Sequence, residues 1–270
     1  MNNQLDEFIK AKTGNYLVPI KDGCKKDGEY SEAYPIGFPI LDDGMKAGKQ
    51  TRGGVRGGDL IVITGMSKNG KTTFAQNITL NLDKIGIPTI FFSYEVNIDN
   101  LYAKFKEMGI SDEALIYTPK EIITGKLEWI KEKAKEGKDR FYTKAIFIDD
   151  LDFLSPSESD SQLRNKIRNI LMELKQLAVS EDMVIFLIAH IKKVQGREVE
   201  MQDLGESSSL YQKPDFVFMV KRYDETDIIT GIKYKGNRGV IRTLANRLTG
   251  DEPFMEFAIK NNIIIPSVYE

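Results

Sequence analysis

Gly65, Met66, Ser67, Lys68, Asn69, Gly70, Lys71 and Thr72 run consecutively and fit the pattern GxxxxGK[ST]. The spacing suits the chemistry of a polyphosphate. The glycines let the backbone approach closely, and the loop's N–H groups and a following helix N-terminus can surround the anion. Lys71 reaches β- and γ-phosphates, and the hydroxyl of Thr72, with Thr73 next to it, opens the helix where Mg²⁺ would bind. The segment Gly65–Thr73 is therefore the candidate site for ATP. A second acid for the metal is offered by AIFIDD, an apolar run ending in Asp149, with Asp150 as its local rival. Glu95, just past the run TIFFS, stands where a carboxylate could polarise an attacking water, or where a helix N-terminus would favour an acid. His190 closes the run MVIFLIA, where it is either structural or a group that senses the γ-phosphate by hydrogen bonding.

These residues can act together only if the elements between them bring one end of each run to a common edge. The apolar runs LIVIT (60–64), TIFFS (89–93), AIFID (145–149), MVIFLIA (183–189) and FVFMV (216–220) are continuous, as in strands buried on both faces. Between them, helical spacing marks 72–85, through Phe74, Ile78 and Leu82, and 162–179, through Leu163, Ile167, Ile170, Leu171, Leu174 and Leu177. Strands separated by helices need right-handed crossovers, so the fold class is α/β, an open, mostly parallel sheet flanked by helices. After residue 230 the pattern turns to shorter strands, VIRTLANRLTG leading into FMEFAI, read as a C-terminal antiparallel extension. Residues 1–35 form an N-terminal extension with a short amphipathic stretch at Leu5, Phe8 and Ile9, and 36–270 form one domain.

Composition removes several classes. One cysteine, Cys24, allows no intramolecular disulfide, and one histidine leaves no His/Cys set for a structural zinc. No apolar stretch approaches the roughly 18 residues of a membrane span and no leader pattern opens the chain, so a cytoplasmic protein without membrane contact is expected. The 38 Lys and Arg against 40 Asp and Glu exclude a uniformly basic surface, but not a basic cleft or ring lumen.

Together these motifs resemble the motor domain of the DnaB-type replicative helicases, a branch of the RecA-like P-loop ATPases. The resemblance covers roughly residues 36 to 260. IGFPILDDG and GGVRGGDLIVITG are similar to the family's approach to the P-loop; FFSYEV is similar to the motif of its catalytic glutamate, and FIDDLDFL to that of its metal-binding aspartate. DLGESSSLYQKPD preserves Asp203, Leu204, Glu206, Ser207, Gln212 and Asp215 of a further family segment, with Gly205 and Ser208 where arginine and glycine are common. His190 and NRLTGDEPFMEF look closest to the branch of phage primase-helicases and Twinkle. The resemblance implies ATP and Mg²⁺ as cofactors, with Lys71, Glu95 and His190 catalytic, and Thr72 and Asp149 at the metal. It also implies that Arg247 serves a neighbouring subunit's site, hence a homo-oligomeric ring, hexameric in this family, with single-stranded DNA, a primase or a helicase loader as partners. The lysine usual two residues before that arginine is replaced by Ala245, and Lys233, Lys235 and Arg242 are the nearby cations.

Lys192, Lys193 and Arg197 follow His190 in a polar segment without aromatics, which favours contact with DNA phosphates over base stacking. A solvated loop is the alternative, and Arg164 and Lys166 form a weaker second candidate. The function expected is an ATP-dependent DNA helicase acting in replication. The alternatives are a RecA- or KaiC-like remodelling ATPase that does not unwind, and a regulatory module that binds nucleotide but hydrolyses it poorly.

Overall fold

The computed structural model describes Ile20 and residues 31–123, 126–154, 160–190, 209–227 and 230–267. The amphipathic stretch at Leu5, Phe8 and Ile9 and the cations Lys192, Lys193 and Arg197 lie outside these residues, as does the side chain of Arg164. The chain divides into two units, Met1–Ser31 and Glu32–Glu270. All that follows concerns the second.

A short helix α1 (Pro39–Gly44) precedes β1 (Leu60–Gly65), α2 (Lys71–Lys84), β2 (Thr89–Ser93), α3 (Ile98–Glu107), β3 (Ile116–Tyr117) and α4 (Leu127–Phe141). Then come β4 (Ala145–Asp149), a 3₁₀ turn (Leu151–Leu154), α5 (Asp160–Glu181), β5 (Val184–His190) and a one-turn helix α6 (Ser209–Gln212). The strands β6 (Phe216–Thr226), β7 (Lys233–Asn246), β8 (Phe254–Lys260) and β9 (Ile263–Pro266) close the chain. One nine-stranded sheet has the order β3-β2-β4-β5-β1-β6-β7-β8-β9. It is parallel from β3 to β6 and antiparallel from β6 to β9. The fold is the RecA-like ATPase fold, with the antiparallel extension the sequence predicts.

The continuous apolar runs behave as sheet-core strands: β1, β2 and β4 are buried at every position. Each face carries its own core. On one side Phe74, Ile78 and Leu82 of α2 meet Phe91, Phe147, Phe186 and Phe218. On the other, Ile170, Leu171, Leu174 and Leu177 of α5 and Trp129, Ile130 and Ala134 of α4 cover Leu60, Val62, Ile148 and Leu187. Asn77 of α2 also ties in the last hairpin, its amide donating to Asn262 O and accepting from Ile264 N.

The antiparallel part departs from the expectation of shorter strands. β6 has 11 residues and β7 has 14, pairing from Phe216↔Asn246 to Thr226↔Lys233. The outer half of this hairpin is largely exposed and stabilised by polar pairs such as Lys235 Nζ–Asp224 Oδ1 at 2.7 Å and Tyr234 Oη–Glu225 Oε2 at 3.1 Å, so it carries no apolar run to read. Among the described residues no helix is long and apolar enough to cross a membrane.

Candidate nucleotide site

Sheet register assembles the site. In the parallel ladders Gly65 pairs with His190 and Ser93 with Asp149, and Ile148 pairs with Leu187, so β1 and β5 end together and run two residues past the common end of β2 and β4. The P-loop, His190, Asp149 and Glu95 thus stand at one edge, where ligands of open α/β sheets bind. Gly65 holds φ +145° with the Val220 carbonyl oxygen too close to admit a Cβ, and Gly70 at φ +92° turns the loop into α2. Ser67 and Lys68 are exposed, whereas Asn69 is buried. Its amide donates to Met66 O and Ser67 O and accepts from Arg222 N, so its side chain ties the loop to β6 and is not aimed at a phosphate. Thr73 sits in the first turn of α2, its carbonyl accepting from Asn77 Nδ2.

Lys71 is only 4% exposed, and its Nζ lies 3.1 Å from Met66 O and 2.9 Å from His190 Nδ1. Burial pulls its pKa down, opposed by the charges of Asp149, Asp150, Glu95 and Asp152. Thr72 Oγ1 donates to Asp149 Oδ2 at 2.9 Å. The other oxygen, Asp149 Oδ1, is buried and has no partner, and burial pushes this carboxyl up to about 7. His190 Nε2 is 2.6 Å from Asp150 Oδ2 and 3.5 Å from Glu95 Oε1; the bond to Asp150 raises the imidazole pKa. Glu95 lies before the N-cap Asn97 of α3, so it is not part of that helix's first turn.

Four carboxylates around one lysine and one histidine leave an excess of negative charge. A hydroxyl and an unpartnered buried carboxylate oxygen are hard oxygen donors of the kind Mg²⁺ takes, so Thr72 and Asp149 fit that ion. Glu95, Asp150 and His190 also place one ligand atom each within 4.8 Å of one another.

Arg247 stands elsewhere. Its backbone N–H donates to Asp215 O, and Asp215 accepts from Leu60 N at the start of β1, so Arg247 is at the opposite edge of the sheet. Since β1 has six residues at about 3.3 Å each, the two edges are roughly 17 Å apart. Arg247 is exposed, and its position is fixed by Asn246. The Asn246 amide donates to Gly44 O, Thr249 Oγ1 and Asp251 O and accepts from Leu248 N and Thr249 N. Ala245 packs on the α5 side of the sheet, and Arg242 lies over the Phe254 ring. Lys233 and Lys235 are near the far end of β7. The sequence reading missed the roles of Asn246 and Asp215, the latter also held by Lys175 Nζ at 2.6 Å. The TGD turn after Asn246 and the position of Asp215 just before a strand were the signals available.

Fold and site together define a P-loop ATPase domain. The family model described as "ATPase: KaiC" matches residues 34–202, and the chain belongs to this family. It is 24% identical to the DNA helicase/primase of Enterobacteria phage T3, over 85% of this chain and 46% of that protein. It is also 24% identical to a probable replicative DNA helicase of Trieres chinensis, over 77% and 55% respectively. The chain spans about half the length of these curated relatives. Among solved structures, one isolated ATPase domain superposes with a TM-score of 0.66 at 18% identity, covering 98% of this chain and 96% of that one. A DnaB-like replicative helicase, studied with its interactions with primase, gives 0.69 at 17% identity, covering 98% and 70%.

Proposed function

We propose that residues 36–270 are the motor domain of an ATP-dependent replicative DNA helicase, hydrolysing ATP at the interfaces of a cytoplasmic homo-oligomeric ring that moves on single-stranded DNA. The observation that carries this reading is the placement of Arg247: it is exposed, buttressed, and on the opposite sheet edge from the P-loop, so any nucleotide it serves belongs to another copy. The similarity to replicative helicases supplies the substrate class, and a hexameric ring and a primase or loader partner belong to the same proposal.

Lys71 would leave His190 to neutralise β- and γ-phosphate charge. Thr72 and Asp149 would hold Mg²⁺, which when bound supplies further charge neutralisation on the phosphates. Glu95, an exposed carboxylate beside the His190 imidazole, would orient and polarise the attacking water, and His190 would register the γ-phosphate. Arg247 of the next copy would stabilise charge in the transition state. Lys192, Lys193 and Arg197 would contact DNA phosphates.

One observation favours the second reading, a remodelling ATPase that does not unwind. Ala245, where the resembling helicases carry a second cation for the neighbour's site, faces the apolar cluster under α5. The two readings separate on turnover with and without single-stranded DNA, followed by unwinding of a forked duplex. DNA-stimulated turnover, lost by about 10³-fold in Lys71→Ala, together with strand separation supports the helicase. Turnover indifferent to DNA by a chain that stays monomeric on light scattering overturns it.

A further inference from the structure

Asp150 is adjacent to the metal-binding candidate Asp149 yet makes none of its contacts. Its Oδ2 is 2.6 Å from His190 Nε2, its Oδ1 accepts from Asp152 N at 3.0 Å, and its side chain is 2% exposed. The 3₁₀ turn therefore fixes the carboxylate, and the carboxylate faces the imidazole. The opposite ring nitrogen, Nδ1, is 2.9 Å from Lys71 Nζ. A lysine ammonium has donors and no acceptor, so the imidazole must offer a lone pair at Nδ1, and a neutral ring then carries its proton on Nε2. That N–H points at Asp150.

We propose that Asp150 is a positioning residue that holds His190 as the Nε2–H tautomer, with Nδ1 facing Lys71 while the nucleotide site is empty and free of it once polyphosphate draws Lys71 away. The geometry also argues against an ion shared by Glu95, Asp150 and His190. An ion there would need the Nε2 lone pair, which moves the proton to Nδ1 and sets two donors against each other at Lys71. The catalytic consequence rests on the hydrolysis reading above; the tautomer does not.

His190 is the only histidine, so the ¹⁵N-histidine-labelled full chain gives one imidazole to observe. Because the bond to Asp150 raises the imidazole pKa, the ring is observed at about pH 8.5, some two units above the ordinary value of about 6.5. There, long-range ¹H–¹⁵N correlation of the nucleotide-free protein should show a protonated Nε2 and an unprotonated Nδ1. A non-hydrolysable ATP analogue with Mg²⁺ should shift Nδ1 most. Asp150→Ala should leave the two tautomers in exchange, while Asp150→Asn, whose amide oxygen still accepts, should retain the tautomer. Lys71→Ala should retain it too and serves as the deciding variant if Asp150→Ala does not fold. In turnover, Asp150→Ala should lower kcat by about ten- to a hundredfold, the size usual for an outer partner of a site residue, with KM for ATP moved little and most of kcat restored in Asp150→Asn. A proton on Nδ1, protons on both nitrogens, a metal-bound Nε2, an unchanged ring in Asp150→Ala, or a tautomer lost in Lys71→Ala each overturns the proposal. The expected tautomer in a protein that turns over no ATP under any condition would instead sink the hydrolysis reading and leave the assignment of Asp150 standing.

Discussion

At the edge where β1, β2, β4 and β5 end, Asp149 keeps a buried oxygen without a partner, and Lys71 leans on an imidazole amid four carboxylates. At the edge where β1 and β6 begin and β7 ends, Asp215 accepts from Leu60 N and Lys175, and both ends of the Asn246 amide are bonded. Near this edge the Asp42 carboxylate of α1 accepts three backbone N–H groups, from Ile36, Gly37 and Phe38. Both edges bury charge, which is costly without partners. One completes its partners within the chain and so holds shape; the other leaves them incomplete and so has a use for a cation and an anion from outside. Arg247 belongs to the first edge in its backbone and, under the proposed function, to another copy's second edge in its side chain.

The largest effect that tests this division is in turnover. Arg247→Ala should lose about 10³-fold in kcat while retaining assembly and nucleotide binding. Lys71→Ala, equally inactive, keeps an intact Arg247. Mixing the two inactive proteins should restore part of the activity, because interfaces that join the Lys71 of one to the Arg247 of the other are whole. No recovery on mixing, in assemblies shown to exchange subunits, would mean that the two edges do not meet across an interface. The next effect is in stability. Asn246→Ala removes the partner of three acceptors and two donors, and should destabilise the domain by about 3 kcal/mol in chemical unfolding. It should also lower kcat toward the level of Arg247→Ala with nucleotide affinity unchanged.

The ligand edge was the more legible of the two in the sequence. Apolar runs fixed where β1, β2, β4 and β5 end, and residues just past those ends share an edge whatever the loops do, so Glu95, Asp149 and His190 are brought together around Lys71. Asp150 was visible only as a rival of Asp149, because alternation along a strand end does not say which of two acids faces which partner. The structural edge was nearly silent. Asn246 meets Gly44 across 202 residues and Asp215 meets Leu60 across 155, and no local pattern announces such contacts. Helix α4 escaped notice because a charged sequence buries only Trp129, Ile130, Ala134 and Gly137, and the outer β6–β7 hairpin because its stabilising pairs are polar.

The smallest effect tests whether the structural edge is as well compensated as its hydrogen bonds imply. Asp42 is 7% exposed; burial pushes its pKa up to about 6, while the three backbone donors pull the other way. With a folded-state value above that of the unfolded chain, about 3.9, the folded state binds more protons between roughly pH 4 and 6. The carboxyl then contributes stability that is present at low pH and lost as pH rises through about 6. The unfolding free energy of the wild type minus that of Asp42→Asn should therefore fall with rising pH in this window, by about 1 kcal/mol per pH unit at most. A difference that rises instead would show that the N–H donors of residues 36–38 outweigh burial, and that this edge holds its charges as well as the ligand edge would hold Mg²⁺ and phosphate.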